Sequence, residues 1–246
     1  MKIVRHIPNT ITSLNLLCGV MGIIFTFEGR FDIAFLLMLA AAVCDFCDGL
    51  SARLLNAYSP MGKELDSLAD LVSFGTLPGI MMHRLMIEVG CTGLPCYIPL
   101  IITVFSALRL ARFNIDERQT EHFIGLATPA CAMICGSFAY YICNDPSSIM
   151  HRWAEHTYFI PVCSAVLSLL LVSGIPMFSM KFKKNPVHDT PLQRMRVGLG
   201  GVIFAFTLLT ILLGLNWSFI VLMTFVSYII MNIGYMLIFR RKPRRK

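Results

Sequence analysis

The sequence predicts an all-α polytopic membrane protein, because of its composition, its long apolar stretches and the placement of its charges. Of its 246 residues, 56% are hydrophobic and only 14% are charged, and the mean hydropathy is +0.70. Soluble domains carry about 25% charged residues, so this composition argues against a soluble globule and excludes a disordered chain. The net charge of +7 then points to a lipid bilayer with anionic head groups, and not to nucleic acid, as the partner.

The chain contains eight stretches that approach the length of about 20 apolar residues needed to cross a bilayer. The last two are expected to form a hairpin around the short turn Gly214-Leu215-Asn216. No linker separates the stretches into domains, so one compact helical unit is the simplest arrangement. In chain order, the predicted spans are 10–27, 32–55, 64–86, 94–113, 124–143, 158–180, 196–214 and 217–239.

The basic residues divide unevenly between the two sides of the membrane that these spans define. With both termini inside, 18 bases are cytoplasmic, and 3 (Arg30, Arg84 and Arg152) are outside. Cytoplasmic loops carry the excess of Lys and Arg in membrane proteins, so this split predicts cytoplasmic termini and an even number of spans. Six of the inner bases form the tail 240–246, which we interpret as a topology anchor. The other inner bases are Lys2, Arg5, Arg53, Lys63, Arg109, Arg112, Arg118, Lys181, Lys183, Lys184, Arg194 and Arg196.

The first span, 10–27, lies close to the start of the chain, where a secretory signal peptide would lie. It is long enough to cross the membrane, and no Ala-x-Ala-like cleavage site follows it. We therefore expect it to be a permanent membrane helix.

The second and third spans contain acidic residues, which are costly in a bilayer. Asp45 and Asp48 are three residues apart, and Asp66 and Asp70 are four apart, so each pair shares one face of its helix. An aspartate deep in the membrane costs about 2.5–3.5 kcal/mol on insertion scales, and four together repel one another. The cluster therefore requires a compensating partner.

A divalent cation is the simplest compensation for these four carboxylates. A short turn near Asn56–Pro60 makes the two helices antiparallel and brings both acidic pairs to a similar depth at the cytoplasmic side. Carboxylates that converge in this way form a hard-oxygen site for Mg²⁺, Mn²⁺ or Ca²⁺. A purely structural salt-bridged hairpin is the alternative, but only Arg53 and Lys63 are near enough in sequence to balance the acids.

Small residues accompany the acids, and Arg53 lies beside them. Gly49 and Ala52 follow Asp48, and Gly62 precedes the second pair by one helical turn. Glycine costs about 1 kcal/mol in a helix, so its presence indicates either close helix packing or room for a ligand. Arg53 supplies a fixed cation that suits a phosphate.

Together these residues form the pattern Asp45-x-x-Asp48-Gly49-x-x-Ala52-Arg53, eight residues, then Gly62-x-x-x-Asp66-x-x-x-Asp70. The pattern resembles the signature of the CDP-alcohol phosphatidyltransferases at every fixed position. Further segments are similar to the integral-membrane phosphatidylserine synthases within that family. These segments are SLNLLCG at 13–19, LVSFGTLPG at 71–79, LRLARFN at 108–114, GLATPA at 125–130 and LVSGIPMFSMK at 171–181.

The resemblance implies a reaction, a metal and a fold. CDP-diacylglycerol and L-serine would give phosphatidylserine and CMP in the cell membrane of a bacterium or archaeon, with the active site facing the cytoplasm. The four aspartates would hold two divalent ions, Mg²⁺ or Mn²⁺, and Asp70 would also be the general base. A six-helix core over residues 1–181 would be followed by residues 182–246, which hold a cytoplasmic loop, the terminal hairpin and the tail, and the protein would be a homodimer. Gly49, Ala52, Arg53 and Gly62 would surround the nucleotide.

Two further groups of polar residues are candidates for substrate contacts. Arg109 and Arg112 are three residues apart at the cytoplasmic end of the fourth span and either bind the serine carboxylate or lipid phosphate or only anchor the helix. Asn15, inside the first span, either reaches the nucleotide or hydrogen-bonds a neighbouring helix.

Other functions remain open at this stage. The acceptor alcohol could be glycerol 3-phosphate or inositol phosphate, since the signature concerns only the shared CDP-lipid. A divalent-cation transporter is a second class, but it would place acids along the whole membrane path, and here they cluster at one side. Cys91 and Cys96, in a predicted outer loop, are either a disulfide or two free thiols.

Overall fold

The computed structural model describes residues 6–115, 123–177 and 190–239. Within these ranges the protein has ten α-helices and one pair of two-residue strands, which confirms the all-α prediction. The helices are α1 (Ile7–Phe27), α2 (Phe31–Leu54), α3 (Pro60–Asp70), α4 (Leu77–Glu88), α5 (Ile101–Ile115), α6 (Thr128–Asn144), α7 (Ile149–Ala154), α8 (Phe159–Val172), α9 (Thr190–Leu213) and α10 (Ser218–Phe239).

Each of the eight predicted spans coincides with helical structure. Among the described residues, four helical stretches are long and apolar enough to cross a membrane: Ile7–Phe27, Phe31–Leu54, Leu94–Ile115 and Ser218–Leu237. Phe159–Val172 and Val197–Leu213 are shorter apolar helices. This architecture is that of a polytopic integral membrane protein.

The helices α1 and α2 form an antiparallel hairpin on which the site is built. Gly29 makes the turn between them with φ = 76°, a conformation that glycine adopts without a steric penalty. The face of α1 that is buried in the protein carries small and polar side chains: Pro8, Thr12, Asn15, Gly19, Gly22 and Thr26. The opposite face exposes large apolar side chains such as Leu14 and Leu17, as expected of a surface that contacts lipid.

The third predicted span is one helical stretch from Pro60 to Glu88 that changes its winding in the middle. Residues Leu71–Thr76 form a π-helical segment between α3 and α4. Pro78 follows closely, and it has no N–H to continue the regular hydrogen-bond ladder. A similar change precedes α5, where Leu94–Leu100 is a 3-10 helix. The sequence did not reveal either segment.

Four span boundaries differ from the prediction by four residues or more. The third span begins at Pro60 and not at 64, and the seventh begins at Thr190 and not at 196. The helix of the fifth span, α6, begins at Thr128 and not at 124, and that of the sixth span, α8, ends at Val172 and not at 180. Phe123–Ile124 instead pairs in antiparallel fashion with Pro176–Met177. Gly125 has φ = 83°, which breaks a helix at this point. Residues 178–180 of the predicted span lie outside the described residues.

The C-terminal helices form the predicted hairpin, with Gly214 at φ = 62° in the turn. Helix α10 packs along α6. Trp217 stacks on Phe35 of α2 with ring centroids 5.5 Å apart and lies 5.2 Å from the ring of Tyr140. The hairpin is therefore joined to the rest of the protein by aromatic contacts as well as by the chain.

Candidate active site

The turn between α2 and α3 forms as predicted, and local interactions account for it. Helix α2 ends at Leu54, and Asn56 takes a left-handed conformation with φ = 49°, which Asn tolerates better than most residues. Ser59 begins α3 by accepting a hydrogen bond from the Gly62 N–H over 3.0 Å, with Pro60 in the first turn. The two helices are thereby held with their acidic residues at the same end.

Three of the four aspartates converge. One carboxylate oxygen from each of Asp45, Asp48 and Asp66 lies within 4.8 Å of the others. Ligand bonds to divalent cations measure about 2.0–2.6 Å, so oxygens on opposite sides of one ion are separated by about 4–5 Å. The three carboxylates therefore match the size of a divalent-cation site.

Burial within this cluster also favours a cation. Asp48 is 5% exposed, and one carboxylate oxygen of Asp66, Oδ1, is buried without a hydrogen-bond partner among the described residues. A buried carboxylate oxygen without a partner is costly. The unpaired Asp66 oxygen and the hard-oxygen donor set fit a divalent metal, and the cluster could hold one.

Asp70 lies beside the three-aspartate cluster and interacts electrostatically with all three members. One of its carboxylate oxygens, Oδ1, accepts a hydrogen bond from Asn15 Nδ2 over 3.3 Å. Asn15 is completely buried and lies on α1. The structure thus gives Asn15 a protein partner, and the helix-to-helix contact considered for it is present.

Asp48 also receives a hydrogen bond from α1. Thr12 Oγ1 lies 2.7 Å from Asp48 Oδ2, and Thr12 is 3% exposed. The sequence analysis did not select Thr12. Its position, three residues before Asn15 in an apolar span, was the available signal.

The small residues of the motif differ in the space around them. A Cβ atom added to Gly49 would have no atom within 4 Å, so there is open space at that position. Gly62 is more confined, because an added Cβ would lie 3.0 Å from Asn9 Oδ1 and 3.0 Å from Ser59 Oγ. Ala52 is half-buried, and Arg53 is exposed in the last turn of α2.

The two arginines of α5 have different environments. Arg109 is half-buried, donates to Thr128 Oγ1 over 3.0 Å and lies 5.7 Å from the ring centroid of Phe113. It is also close enough to Asp70 for a direct electrostatic interaction. Arg112 is exposed. Thr128, at the start of α6, is a second residue that the sequence analysis missed, although it lies in the GLATPA segment.

A hydrogen-bonded chain joins α3 to the end of α5 on the same side of the site. Lys63 Nζ donates to the backbone oxygen of Asn114 over 3.1 Å, and Asn114 Nδ2 donates to Ser67 Oγ over 2.9 Å. These contacts hold the helix that carries Arg109 against the helix that carries Asp66 and Asp70.

The basic residues of the described ranges lie at two opposite ends of the helices. Arg53, Lys63, Arg109 and Arg112 lie at the same end as the carboxylates, whereas Arg30, Arg84 and Arg152 lie near the opposite helix ends. Two of the opposite bases pair with acids: Arg84 with Glu88 at 2.8 Å and Arg30 with Asp32 at 3.8 Å. Side chains outside the described residues include those of Lys2, Arg5, Arg118, Lys181, Lys183, Lys184, Arg194, Arg196 and the tail 240–246.

Of the two alternatives for Cys91 and Cys96, the structure has free thiols. Both cysteines are buried. The Cys91 thiol donates to the backbone oxygen of Glu155 over 3.8 Å, and the backbone oxygen of Cys96 lies 2.7 Å from His83 Nδ1.

The chain is similar in sequence to known proteins of one family. Residues 5–170 match the profile of the family described as CDP-alcohol phosphatidyltransferase. The chain is 35% identical over 190 residues to the CDP-diacylglycerol–serine O-phosphatidyltransferase of Mycobacterium leprae, covering 74% of this chain but only 61% of that protein. It is 36% identical over 139 residues to the protein of the same name from Bacillus subtilis, covering 55% of this chain and 77% of that protein. The chain is 31% identical over 134 residues to the archaetidylserine synthase of Methanothermobacter thermautotrophicus, covering 54% of this chain and 57% of that protein.

Proposed function

Because the chain belongs to the CDP-alcohol phosphatidyltransferase family, we propose that it transfers the phosphatidyl group of CDP-diacylglycerol to the hydroxyl of L-serine. The products are phosphatidylserine and CMP. The observation that carries the proposal is the convergence of Asp45, Asp48 and Asp66 beside Asp70, in a chain whose relatives are named for serine transfer. The carboxylates lie near the turn between α2 and α3, and a site at that end of the helices would let lipid tails stay in the bilayer while serine and CMP exchange with water.

The aspartates are the proposed metal ligands. Asp45, Asp48 and Asp66 hold a divalent cation, Mg²⁺ or Mn²⁺, and Asp70 completes the set for a second ion. When bound, such ions neutralise the diphosphate oxygens and stabilise the departing CMP. The unpaired Asp66 oxygen and the mutual approach of the three carboxylates support this assignment.

Asp70 is the proposed general base. Its carboxylate takes the proton of the serine hydroxyl as the serine oxygen bonds to the phosphatidyl phosphorus. The bond that breaks joins that phosphorus to the oxygen of CMP, so the transferred group passes between the two oxygens in line. Asp70 suits this role because it is the one aspartate of the motif outside the three-aspartate cluster, and it interacts electrostatically with that cluster and with Arg109.

Binding contacts are assigned from the space and charge around the carboxylates. Gly49 leaves open space on α2, where the nucleotide can lie beside the small side chain of Ala52, whereas Gly62 lets Asn9 and Ser59 approach the start of α3. Arg53 meets a phosphate oxygen. Arg109 binds the serine carboxylate, because its guanidinium is oriented by Thr128 and interacts electrostatically with Asp70, and Arg112 contributes from the exposed side.

Orientation and assembly complete the proposal. We infer from the excess of bases on the side of the carboxylates that the site and both termini face the cytoplasm, and the bacterial relatives support a cell membrane as the location. The working unit is a homodimer, as the family resemblance implies, with apolar faces available on the outside of the bundle.

Product formation from a panel of acceptors tests the proposed function. Purified protein in detergent is given labelled CDP-diacylglycerol, Mn²⁺ or Mg²⁺, and serine, glycerol 3-phosphate or inositol phosphate in separate reactions. We expect labelled lipid and CMP with serine alone, and no product when the metal is chelated. Product with glycerol 3-phosphate alone would contradict the proposal that serine is the acceptor. Turnover without a metal would contradict the proposal that the aspartates are metal ligands.

A further inference from the structure

Two side chains on the buried face of α1 each donate a hydrogen bond to a carboxylate of the site. Thr12 Oγ1 donates to Asp48 Oδ2 over 2.7 Å, and Asn15 Nδ2 donates to Asp70 Oδ1 over 3.3 Å. The Thr12 hydroxyl is also 3.0 Å from the Pro8 carbonyl oxygen, but the shorter distance and the charge of the carboxylate favour Asp48. Both donors are buried, where such bonds are stronger than in water.

The two carboxylates that α1 contacts belong to different helices. Thr12 and Asn15 are three residues apart and so share one face of α1, whereas Asp48 lies on α2 and Asp70 ends α3. One helix without an acidic residue of its own in the site therefore contacts both acidic pairs. A further hydrogen bond holds α1 against the π-helical segment, since Ser73 Oγ donates to the Asn15 backbone oxygen over 2.9 Å.

The chemical nature of these donors matters. A carboxylate can rotate about its side-chain bonds, and a hydrogen bond to one oxygen limits that rotation. A lysine or arginine at the same place would also orient the carboxylate, but it would cancel the negative charge that attracts a cation. A neutral hydroxyl and a neutral amide restrict the carboxylates and leave their charge intact.

We propose that Thr12 and Asn15 are positioning residues, which orient Asp48 as a metal ligand and Asp70 as the general base. The inference rests on the proposed function for the roles of the two aspartates. Groups that orient metal ligands from behind typically affect metal affinity or activity by about 10–100-fold when they are removed. Neither residue needs to touch the substrate for this effect.

Mn²⁺ binding tests the role of Thr12 without requiring turnover. Thr12→Val keeps the shape of the side chain and removes the hydroxyl. We expect this substitution to lower the affinity for Mn²⁺, measured by EPR titration, about tenfold. Thr12→Ser restores the hydroxyl and should restore affinity. The matched control is Thr26→Val, because Thr26 is equally buried on the same face and donates only to the Gly22 backbone oxygen over 2.8 Å among the described contacts.

Several outcomes would overturn the Thr12 assignment. Equal Mn²⁺ affinities for Thr12→Val and Thr26→Val would do so, as would an absence of Mn²⁺ binding by the wild-type protein. If Thr12→Val does not yield monodisperse protein, Thr12→Ala is the substitute, since it removes the same hydroxyl without a branched side chain. Wild-type protein that binds Mn²⁺ but makes no lipid with any alcohol would contradict the proposed function and leave the Thr12 comparison intact.

Asn15 is tested by separating kcat from KM. Asn15→Leu removes the donor at similar side-chain size, and we expect kcat to fall at least tenfold while the KM for CDP-diacylglycerol stays within twofold of wild type. Thr26→Val again controls for changes in the packing of α1. A rise in KM with unchanged kcat would overturn the positioning role and would return Asn15 to the nucleotide contact predicted from the sequence.

Discussion

At the scale of single residues, the four aspartates of the motif do not form one uniform set. Asp45, Asp48 and Asp66 approach one another within 4.8 Å, whereas Asp70 accepts a hydrogen bond from Asn15. The proposed function accordingly gives Asp70 the additional role of general base. Four acids in one motif thus have different surroundings, which spacing alone does not reveal.

The role of Asp70 leads to the first prediction. Asp70→Asn removes the proton acceptor, and general-base catalysis contributes about 10²–10⁴-fold, so we expect kcat to fall at least 100-fold. Binding of CDP-diacylglycerol, measured by calorimetry in detergent, should remain detectable. Asp32→Asn is the matched control, because Asp32 is an exposed carboxylate at the opposite end that pairs with Arg30 at 3.8 Å. Near-normal turnover of Asp70→Asn would exclude the proposed role.

The different surroundings of the two arginines lead to the second prediction. Arg109 is half-buried and oriented by Thr128, and a hydrogen bond to a charged group contributes about 1.5–3 kcal/mol. We expect Arg109→Ala to raise the KM for serine by at least tenfold, since about 1.4 kcal/mol corresponds to tenfold. The exposed Arg112 should give a smaller rise on replacement by alanine.

Steady-state kinetics at varied serine concentration checks this order, and Arg152→Ala serves as the control because Arg152 is an exposed base at the opposite end. A larger effect for Arg112→Ala than for Arg109→Ala would reverse the assignment. An unchanged KM for both variants would return the two residues to membrane anchoring.

At the scale of helices, glycine has two separate functions in this protein. A Cβ on Gly19 of α1 would lie 2.9 Å from the Cα of Ser73, so Gly19 permits close contact between α1 and the π-helical segment. Gly49 of α2 has open space around it. The first glycine serves packing and the second leaves room beside the carboxylates, although both are single small residues in apolar helices.

Replacement of these two glycines is the third prediction. Gly19→Ala forces backbone atoms apart, and overpacking of this kind costs about 1–3 kcal/mol, so we expect a lower Tm and reduced activity. Gly49→Ala should leave the Tm unchanged and raise the KM for CDP-diacylglycerol. Thermal unfolding followed by size-exclusion chromatography, together with kinetics, separates the two effects. A large loss of stability in Gly49→Ala would contradict its assignment to ligand space.

Features that depend on residues close together in the sequence could be predicted, whereas features that depend on distant residues could not. The eight spans and the α2–α3 turn follow from local apolar patterns and from Asn56, Ser59 and Pro60. The π-helical segment Leu71–Thr76 has no such pattern, and it packs against α1 and α5, which are distant from it in the sequence. Thr12 and Thr128 were missed for the same reason, since their partners are 36 and 19 residues away in the chain.

At the scale of the whole molecule, the scarce charges define two chemically different ends. One end combines the aspartates with Arg53, Lys63, Arg109 and Arg112. At the other end, Arg30 and Arg84 are paired with acids, which reduces their net contribution to the potential. The distribution that predicts the orientation in a membrane therefore also sets Arg53, Lys63, Arg109 and Arg112 at the end where an anionic lipid diphosphate would bind under the proposed function.

This asymmetry leads to the last prediction, which concerns orientation. All nine cysteines lie in the described residues, and Cys143 is the exposed one, at the end of α6 away from Thr128 and the site. If the site faces the cytoplasm, a membrane-impermeant maleimide added to intact cells should label Cys143, and Cys143→Ser should abolish that label. A cysteine at Tyr58, which is 73% exposed beside the site, should be labelled only after lysis. The reverse labelling pattern would place the carboxylates outside the cell, where no CDP-lipid is made. It would contradict both the cytoplasmic orientation of the site and the proposed reaction.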